Sequence, residues 1–477
     1  MSVTKPNEGR PAVLAERATG ARRHLALFAR AEDGGLAIWS LFMFLMMLIV
    51  GGIGADFMLN EMRRTQLQGT LDRAVLAAAD LDQTLDAEAV VEDYFQKSGM
   101  ADYLNGVTVE EGLNFKIVSA DASSDTDTLF LNFLGVDTLP APARGAAEER
   151  VANVEISMVL DISGSMGHYA GKMQNLRDAA SEFVDTVMRP ETQDLVSVSI
   201  VPYTAHVNAG PLIFNELNVN QRHSFSHCVE FNNSEFNSTW FNKNRTYEQG
   251  QHFEASSAWG NPIQNPGCPM RSFERITPMS QDADALKAQI GQLTPRANTS
   301  IHLGMKWGVS LLDPSFRRII RDLSDDGHID NTFRTRPAPY NDPETLKTVV
   351  LMTDGENVST YRIADWAYDA SSEYAHWNNW TLFRYLYNYV HPAHHNQFYY
   401  TKYTPSQSDS LLDNVCDAAK DRGIVIWTIG FHVGDHGADV MENCASSPSH
   451  FFRVEGVEIT SAFQAIARQI NQLRLTQ

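Results

Sequence analysis

The sequence predicts an α/β protein: a doubly wound, mostly parallel sheet with large insertions, preceded by an N-terminal transmembrane helix and a small mixed region. Three observations lead there. The run from Leu36 to Ala55 carries no charged residue. From residue 149 onward, short β-branched runs alternate with helical periods, which implies right-handed crossovers and a parallel sheet. One of those runs, Val154 to Leu160, leads straight into Asp161-Ile-Ser-Gly-Ser-Met166.

A length of 477 residues suits two to four units, and a hydrophobic share of 43% is enough to build a core. The formal net charge of −20 argues against a nucleic-acid partner. Such a binder needs Lys and Arg to displace counterions from phosphates. The same balance favours a divalent cation among possible ligands, although a solvated acidic surface accounts for most of it.

Residues 1–33 carry Lys5, Arg10, Arg17, Arg22, Arg23 and Arg30, so the positive-inside rule keeps this segment in the cytoplasm. Leu36 to Ala55 follows as a single span, since about 20 helical residues cross a hydrocarbon core of roughly 30 Å. Gly51, Gly52 and Gly54 would weaken a soluble helix but are common in spans. A buried soluble helix is the competing reading, and such helices are rarely apolar on every face. A cleaved signal peptide fits poorly. The apolar run is longer than a usual h-region, starts far from Met1 and precedes no A-x-A site. Met62 to Leu81 then keeps Leu67, Leu71, Val75, Leu76 and Ala79 on one side without a proline. One long, pilin-like helix over residues 34–81 is expected.

Residues 82–148 are expected to form the small mixed region, with strands at Leu113 to Val118 and Thr128 to Phe133. The Pro-Ala-Pro-Ala-Arg-Gly-Ala-Ala run at 140–147 has the composition of a linker. Beyond it, residues 149–477 give strands at Val154 to Leu160, Leu195 to Val201, Thr348 to Met352 and Ile424 to Gly430. Helices are expected at Gly171 to Met188, Ala283 to Leu293, Ser300 to Leu312, Leu411 to Asp421 and Ile459 to Leu475. Two stretches interrupt this alternation. Residues 208–280 are rich in Asn, Phe, Ser and His, and residues 356–408 in Tyr, Trp and His. Neither shows a clean period, so both are expected as insertions on the rim.

In an open α/β sheet, ligands bind beyond the carboxyl ends of the strands. Asp161, Ser163 and Ser165 therefore stand where a site belongs. Alternate residues of an extended turn face the same way, and Gly164 permits a tight backbone. Carboxylate and hydroxyl oxygens suit a hard cation such as Mg²⁺, with Mn²⁺ and Ca²⁺ as alternatives and waters completing the shell. Three other readings compete. A helix N-cap explains Asp and Ser but not a constellation of loops. A DxDxT phosphatase lacks its second aspartate, because Ser163 stands there. A GxSxG hydrolase elbow lacks its first glycine, because Asp161-Ile162 precedes Ser163.

DISGSM resembles the DxSxS signature of von Willebrand factor A-type (vWA) domains, which carry a metal-ion-dependent adhesion site. Asn298-Thr299-Ser-Ile-His-Leu-Gly304 resembles the loop that supplies that site's threonine, here Thr299. Val349-Val-Leu-Met-Thr-Asp354-Gly-Glu resembles the strand and TDG turn that supply its second aspartate, here Asp354. The resemblance implies that Ser163, Ser165 and Thr299 contact the metal and that Asp161 and Asp354 bind directly or through water. It leaves one position for a partner's carboxylate. The N-terminal segment, with Glu32-Asp-Gly-Gly-Leu, one span and GADFMLNEMRRTQLQGTLDRAVLAAA, resembles the TadE/TadG-type segment of Flp (tight adherence) pilus assembly proteins. The tail also resembles TadG-like proteins in Cys416-Asp-Ala-Ala-Lys-Asp-Arg-Gly-Ile, Trp427-Thr-Ile-Gly-Phe, Cys444-Ala-Ser and the final Gln469-Ile-Asn-Gln-Leu-Arg474.

None of the four cysteines lies in a CxxC pair, so zinc-ribbon or thioredoxin-type chemistry is not expected. All four follow the span, and export would allow two disulfides. Cys228 and Cys268 flank an insertion with little periodicity and few apolar residues to hold it. Cys416 and Cys444 both fall within the family resemblance. Cys228–Cys268 and Cys416–Cys444 are the expected pairs. The cluster His391, His394 and His395 allows a zinc site, but no Cys or carboxylate lies near it at ligand spacing, which favours a polar surface loop. The aromatics Trp377, Trp380, Phe383, Tyr385 and Tyr387 suit the local core of an insertion, with a contact role also open.

Together these expectations describe a non-enzymatic protein of the bacterial inner membrane with a periplasmic C-terminal domain. It would bind an acidic side chain of an envelope or pilus assembly protein through a divalent metal. The alternative is a surface adhesin or a pseudopilin-like pilus subunit. An enzyme finds support only in the histidines.

Overall fold

A computed structural model describes residues 34–80, 85–111, 115–150, 153–169 and 171–476, in two compact units that divide between Glu149 and Arg150. The basic segment at 1–33 lies outside the described residues.

The first unit is built on one helix, α1 (Gly34–Ala79), at 46 residues roughly 70 Å long. From Gly34 to Gly51 it is exposed on all sides and apolar, and among the described residues it is the one helix long and apolar enough to cross a membrane. Its C-terminal half buries Leu67, Leu71, Ala74, Val75, Ala78 and Ala79, while Leu76 points to solvent, against expectation. Against this stripe pack α2 (Ala87–Lys97) and a three-stranded sheet of β1 (Leu104–Glu111), β2 (Phe115–Asp127) and β3 (Thr138–Arg150), in that order. Asp86 caps α2 by accepting the Ala89 N–H at 3.0 Å.

Two expectations fail here. The strand expected at Thr128 to Phe133 is a turn, because β2 ends at Asp127 and Leu131–Leu134 form a short 3₁₀ helix. Of the strand expected at Leu113 to Val118, Leu113 and Asn114 lie outside the described residues, and β2 begins at Phe115. The linker at 140–147 is instead β3. Its small residues serve close packing: Ala141, Ala143 and Ala147 alternate into the core, and a Cβ on Gly145 would stand 2.7 Å from the Leu71 side chain. Pro140 and Pro142 are tolerated because β3 is an edge strand.

The second unit is a doubly wound sheet of six strands. They are β4 (Asn153–Asp161), β5 (Val196–Tyr203), β6 (Thr277–Ser280), β7 (Thr345–Thr353), β8 (Val425–Phe431) and β9 (Phe451–Val454). The order is β9-β8-β7-β4-β5-β6, parallel except for the short β6, which runs antiparallel to β5. The central strands are buried on both faces and alternate between two cores. Ile156, Met158 and Leu160 face α3 (Lys172–Val187), α4 (Ala283–Gln292) and α8 (Glu458–Thr476). Val159, Val349 and Leu351 face α5 (Ile301–Ser310), α6 (Pro405–Lys420) and α7 (Asp435–Cys444). The β-branched runs read from the sequence are these strands. β6 and β9 are additions, each too short to show a period.

Both insertions are folded. From the first, Phe231, Phe236, Phe241 and Tyr247 are buried against Trp307 of α5, so it has an aromatic anchor that its polar composition hides. The second folds as the strand pair Thr360–Ile363 and Tyr399–Tyr403 with helices Ser371–Asn379 and Leu382–Tyr389. Its Trp377, Leu382 and Leu386 form a small core that includes Phe253 of the first insertion. Tyr387 stays exposed. Disulfides join Cys228 to Cys268 and Cys416 to Cys444, with Cα atoms 6.0 and 5.2 Å apart. Closing loops of 40 and 28 residues restricts the unfolded chain by about 3–4 kcal/mol each.

Three buried histidines set an acid limit on this unit. Burial pushes His302 down to about 3, against a hydrogen bond that its ring donates to the Asn357 side-chain oxygen, which favours its charged form. Burial pushes His223 down to about 4, helped by His252 nearby, and burial likewise brings His252 to about 4. Each is neutral when folded and binds a proton near pH 6.5 when unfolded. Their stabilising effect is therefore present above that pH and is lost as pH falls toward 4, by roughly 1.4 kcal/mol per unit per histidine. Denaturant midpoints measured from pH 7 to pH 4 are expected to fall throughout that window. A flat profile would mean that these rings are solvated.

Candidate metal-ion site

The site begins at the carboxyl ends of two neighbouring central strands. β4 ends at Asp161 and β7 at Thr353, with Leu160 opposite Met352 in register, so Asp354 follows directly beside the Asp161 turn. Asp161 is fully buried. One of its oxygens accepts the Ser163 N–H at 2.7 Å and the other accepts the Thr353 hydroxyl at 2.7 Å. Burial, and then the nearby Asp354 carboxylate, push the Asp161 carboxyl up to about 7.

From Asp161 the chain turns so that Ser163 and Ser165 face each other, with Oγ atoms 2.9 Å apart. Ser165 donates to Asp354 Oδ1 at 2.6 Å. The other Asp354 oxygen lies 2.5 Å from the Lys172 ammonium, at the start of α3, and both side chains are almost wholly buried. Rings of Tyr169 and Phe431 stand 5.6 and 5.7 Å from the same ammonium.

A third loop closes on these two by backbone bonds. Arg296 N–H donates to Ile162 O at 2.9 Å, and Gly164 N–H donates to Ala297 O at 3.0 Å. A Cβ at Gly164 would come within 2.9 Å of that carbonyl, so the loops can approach this closely only with glycine there. Val358 N–H donates to Thr299 O at 3.2 Å, which ties this loop to the turn after Asp354. The structure thus links Asp161, Ser163, Ser165 and Asp354 through side chains. It holds Thr299, which is buried, at the same edge through its backbone, with no hydrogen bond from its side chain to those four among the described residues.

The donor set fits a hard cation. Oxygens in adjacent positions of a Mg²⁺ octahedron, at about 2.0–2.1 Å from the ion, stand about 2.9 Å apart. The two serine hydroxyls already have that spacing. No cluster of three or more His, Cys, Asp or Glu side chains with metal-holding geometry occurs among the described residues. His391 accepts the Ala393 N–H at 3.3 Å and His395 bonds Val390 O at 2.9 Å, which makes this loop a capped turn.

Sequence reasoning missed two members. Lys172 reads as an ordinary lysine on a helix, and nothing in its neighbours signals burial on a carboxylate. Thr353 was legible as part of the TDG turn, but not as the group that fixes Asp161. Beside the site, a cavity of about 400 Å³ opens between the two insertions, lined in part by Phe253, Arg296, Ala297, Asn298 and Tyr361.

Residues 34–81 match the family model described as "Putative Flp pilus-assembly TadE/G-like". No curated protein matches the chain. Among solved structures, the chain is similar to the vWF domain of the type V pili tip protein Mfa5 from Porphyromonas gingivalis. The identity is 15% over 68% of this chain and 96% of that one, with a TM-score of 0.35. It is also similar to the pilus adhesin SpaC from Lactobacillus rhamnosus GG in its open conformation, at 11% identity over 77% of this chain and 33% of that one, with a TM-score of 0.32. A third is proximal thread matrix protein 1 from the mussel byssus with a zinc-occupied MIDAS motif. There the identity is 12% over 68% of this chain and 46% of that one, with a TM-score of 0.28. The chain thus spans less than half the length of the last two.

Proposed function

We propose that this chain, whose residues 34–81 carry a TadE/G-like segment, is a non-catalytic, membrane-anchored protein of Flp pilus assembly. In this reading its second unit binds a divalent cation, Mg²⁺ first among candidates, and through it an acidic side chain of an envelope or pilus partner. The observation that supports this most is the pair of Ser163 and Ser165 hydroxyls at cis-ligand spacing, with Ser165 bonded to Asp354, at the carboxyl end of the sheet.

Each residue has a role in this reading. Ser163, Ser165 and Thr299 offer hydroxyl oxygens. Asp161 has both oxygens engaged by Ser163 and Thr353, so it acts through water and holds the turn in shape. Asp354 Oδ1 faces Ser165, and Lys172 neutralises Oδ2. A cation, when bound, supplies the charge that draws a partner's carboxylate to the remaining position. Lys172 competes with that cation for Asp354 and so sets how tightly it is held.

Crosslinking followed by pull-down is expected to recover an envelope partner in Mg²⁺ and to lose it when a chelator is added. Recovery that ignores the chelator would refute the metal bridge. The placement in the inner membrane, with residues 1–33 cytoplasmic and the second unit periplasmic, has its own test. A reporter active only in the periplasm is expected to work after Gln477 and to fail before Met1. The reverse pattern would invert the topology.

A further inference from the structure

The first unit carries an apolar surface that its own fold does not cover. The turn between β2 and β3 exposes Leu129 by 64%, Phe133 by 88%, Leu134 by 61% and Val136 by 40%. Turns in water are dominated by Gly, Pro, Asn, Asp and Ser. This one is apolar at its tip, and it is docked on α1 at the height where the uncharged run ends. Phe130 packs so closely on Gly52 that a Cβ there would come within 2.2 Å of its ring.

One helical turn further along α1, the Asp56 carboxylate accepts the N–H groups of Leu129 at 3.0 Å and of Phe130 and Leu131 at 2.8 Å each. Asp56 is the first charged residue after the uncharged run, and the turn buries it almost completely. Its charge therefore does not interrupt the apolar helix surface, which continues through exposed Phe57, Met58 and Leu59. Three more N–H groups are bonded within the turn. Phe133 N–H donates to Phe130 O, Gly135 N–H to Asn132 O and Val136 N–H to Leu131 O. Lipid tolerates irregular backbone only where its polar groups are satisfied by protein, and carboxylates only where they are paired or hidden. Here the carboxylate is hidden and six turn N–H groups, those of Leu129, Phe130, Leu131, Phe133, Gly135 and Val136, are bonded to protein, while apolar side chains point outward; water at the headgroups can serve the rest.

We propose that the β2–β3 turn is a second membrane contact. It inserts Leu129, Phe133 and Leu134 into the headgroup end of the leaflet that α1 leaves between Gly52 and Leu59. The inference rests on the reading of α1 as a span and adds a lipid-binding surface to it. Continuity with the apolar helix surface, through the Phe130–Gly52 contact, favours lipid over a protein partner. The pairing with Asp56 would also fix how far α1 can rise out of the bilayer.

The test uses the full chain in phosphatidylcholine–phosphatidylglycerol vesicles. All four native cysteines are disulfide-bonded, so an introduced thiol takes a polarity-sensitive fluorophore selectively. The positions are Phe133→Cys, with Leu129→Cys as a second turn site, Met46→Cys within the span and Tyr94→Cys on α2. The Phe133, Leu129 and Met46 labels are expected to shift to the blue and lose most of their emission to nitroxides on the acyl chains. The Tyr94 label is expected to respond only to aqueous iodide. Iodide quenching of both turn labels, with Met46 still quenched from the lipid, would overturn the proposal and leave the span standing. Turn labels shielded from both quenchers would overturn it in favour of a protein cover, such as a second copy. A Met46 label untouched by lipid quenchers would remove the span itself, and the proposal with it.

Discussion

Replacing Asp354 with alanine is expected to abolish Mg²⁺ binding and to cost the second unit about 3–5 kcal/mol of stability. The first effect follows from the loss of the carboxylate that faces Ser165. The second follows from Lys172, whose buried ammonium would lose its counter-ion. Removing one member of a buried pair costs more than removing both, because the survivor cannot return to water. The double variant Asp354→Ala with Lys172→Met is therefore expected to recover most of the lost stability and none of the metal binding. Chemical denaturation and calorimetry read the two effects separately. Unchanged Mg²⁺ affinity in Asp354→Ala would dismiss the site, and a double variant as unstable as the single one would mean that Lys172 is not the stranded charge.

Lys172→Met alone should move affinity and stability in opposite directions. Without the ammonium, Asp354 is a buried carboxylate held by Ser165 and faced by the Asp161 carboxyl, and the metal-free protein should again lose about 3–5 kcal/mol. Metal binding should tighten. Two unit charges about 4 Å apart interact by about 4 kcal/mol at an effective dielectric of about 20. If the lysine recovers half of that by swinging away when metal enters, its removal is worth roughly 30-fold in affinity. Titration calorimetry with Mg²⁺ on both proteins decides the point. Equal or weaker binding in Lys172→Met would show that the lysine supports the cation site and does not compete for it.

The central sheet was legible because fully buried parallel strands have an unmistakable composition. Val154 to Leu160 and Thr348 to Met352 are largely apolar runs, the first leading directly to Asp161 and the second through Thr353 to Asp354. The loops of the site were legible because their residue types are unusual at strand ends. What escaped notice shares a different cause. β6 and β9 have four residues each, too few for a period. The alanine- and proline-rich β3 looked like a linker because small residues are ambiguous. They permit flexibility in a free chain and close approach in a packed one, and only the neighbouring helix tells which. The first insertion hid its anchor because Phe231, Phe236, Phe241 and Tyr247 are scattered among polar residues, and Trp307, on which Phe231 and Phe241 pack, lies far along the chain. Lys172 escaped because the partner that buries it, Asp354, is equally remote in sequence.

The two outer strands of the six-stranded sheet bear on how this protein behaves in a crowd. One edge is β6, four residues long, with Pro278 inside it and pairing β5 at only two positions, Val198 with Ser280 and Ile200 with Thr277. The other edge is β9, also four residues. A short rim broken by proline offers little free backbone to an incoming chain. Fibre-forming systems often hold their parts together by lending a strand to a neighbour's sheet, and this sheet is poorly made for such a loan. Wherever extended chains are crowded together, blunt edges keep this sheet from being joined by a foreign strand. A partner that meets this sheet is then chosen by side chains, which can be released, and not by a shared sheet, which cannot easily be undone.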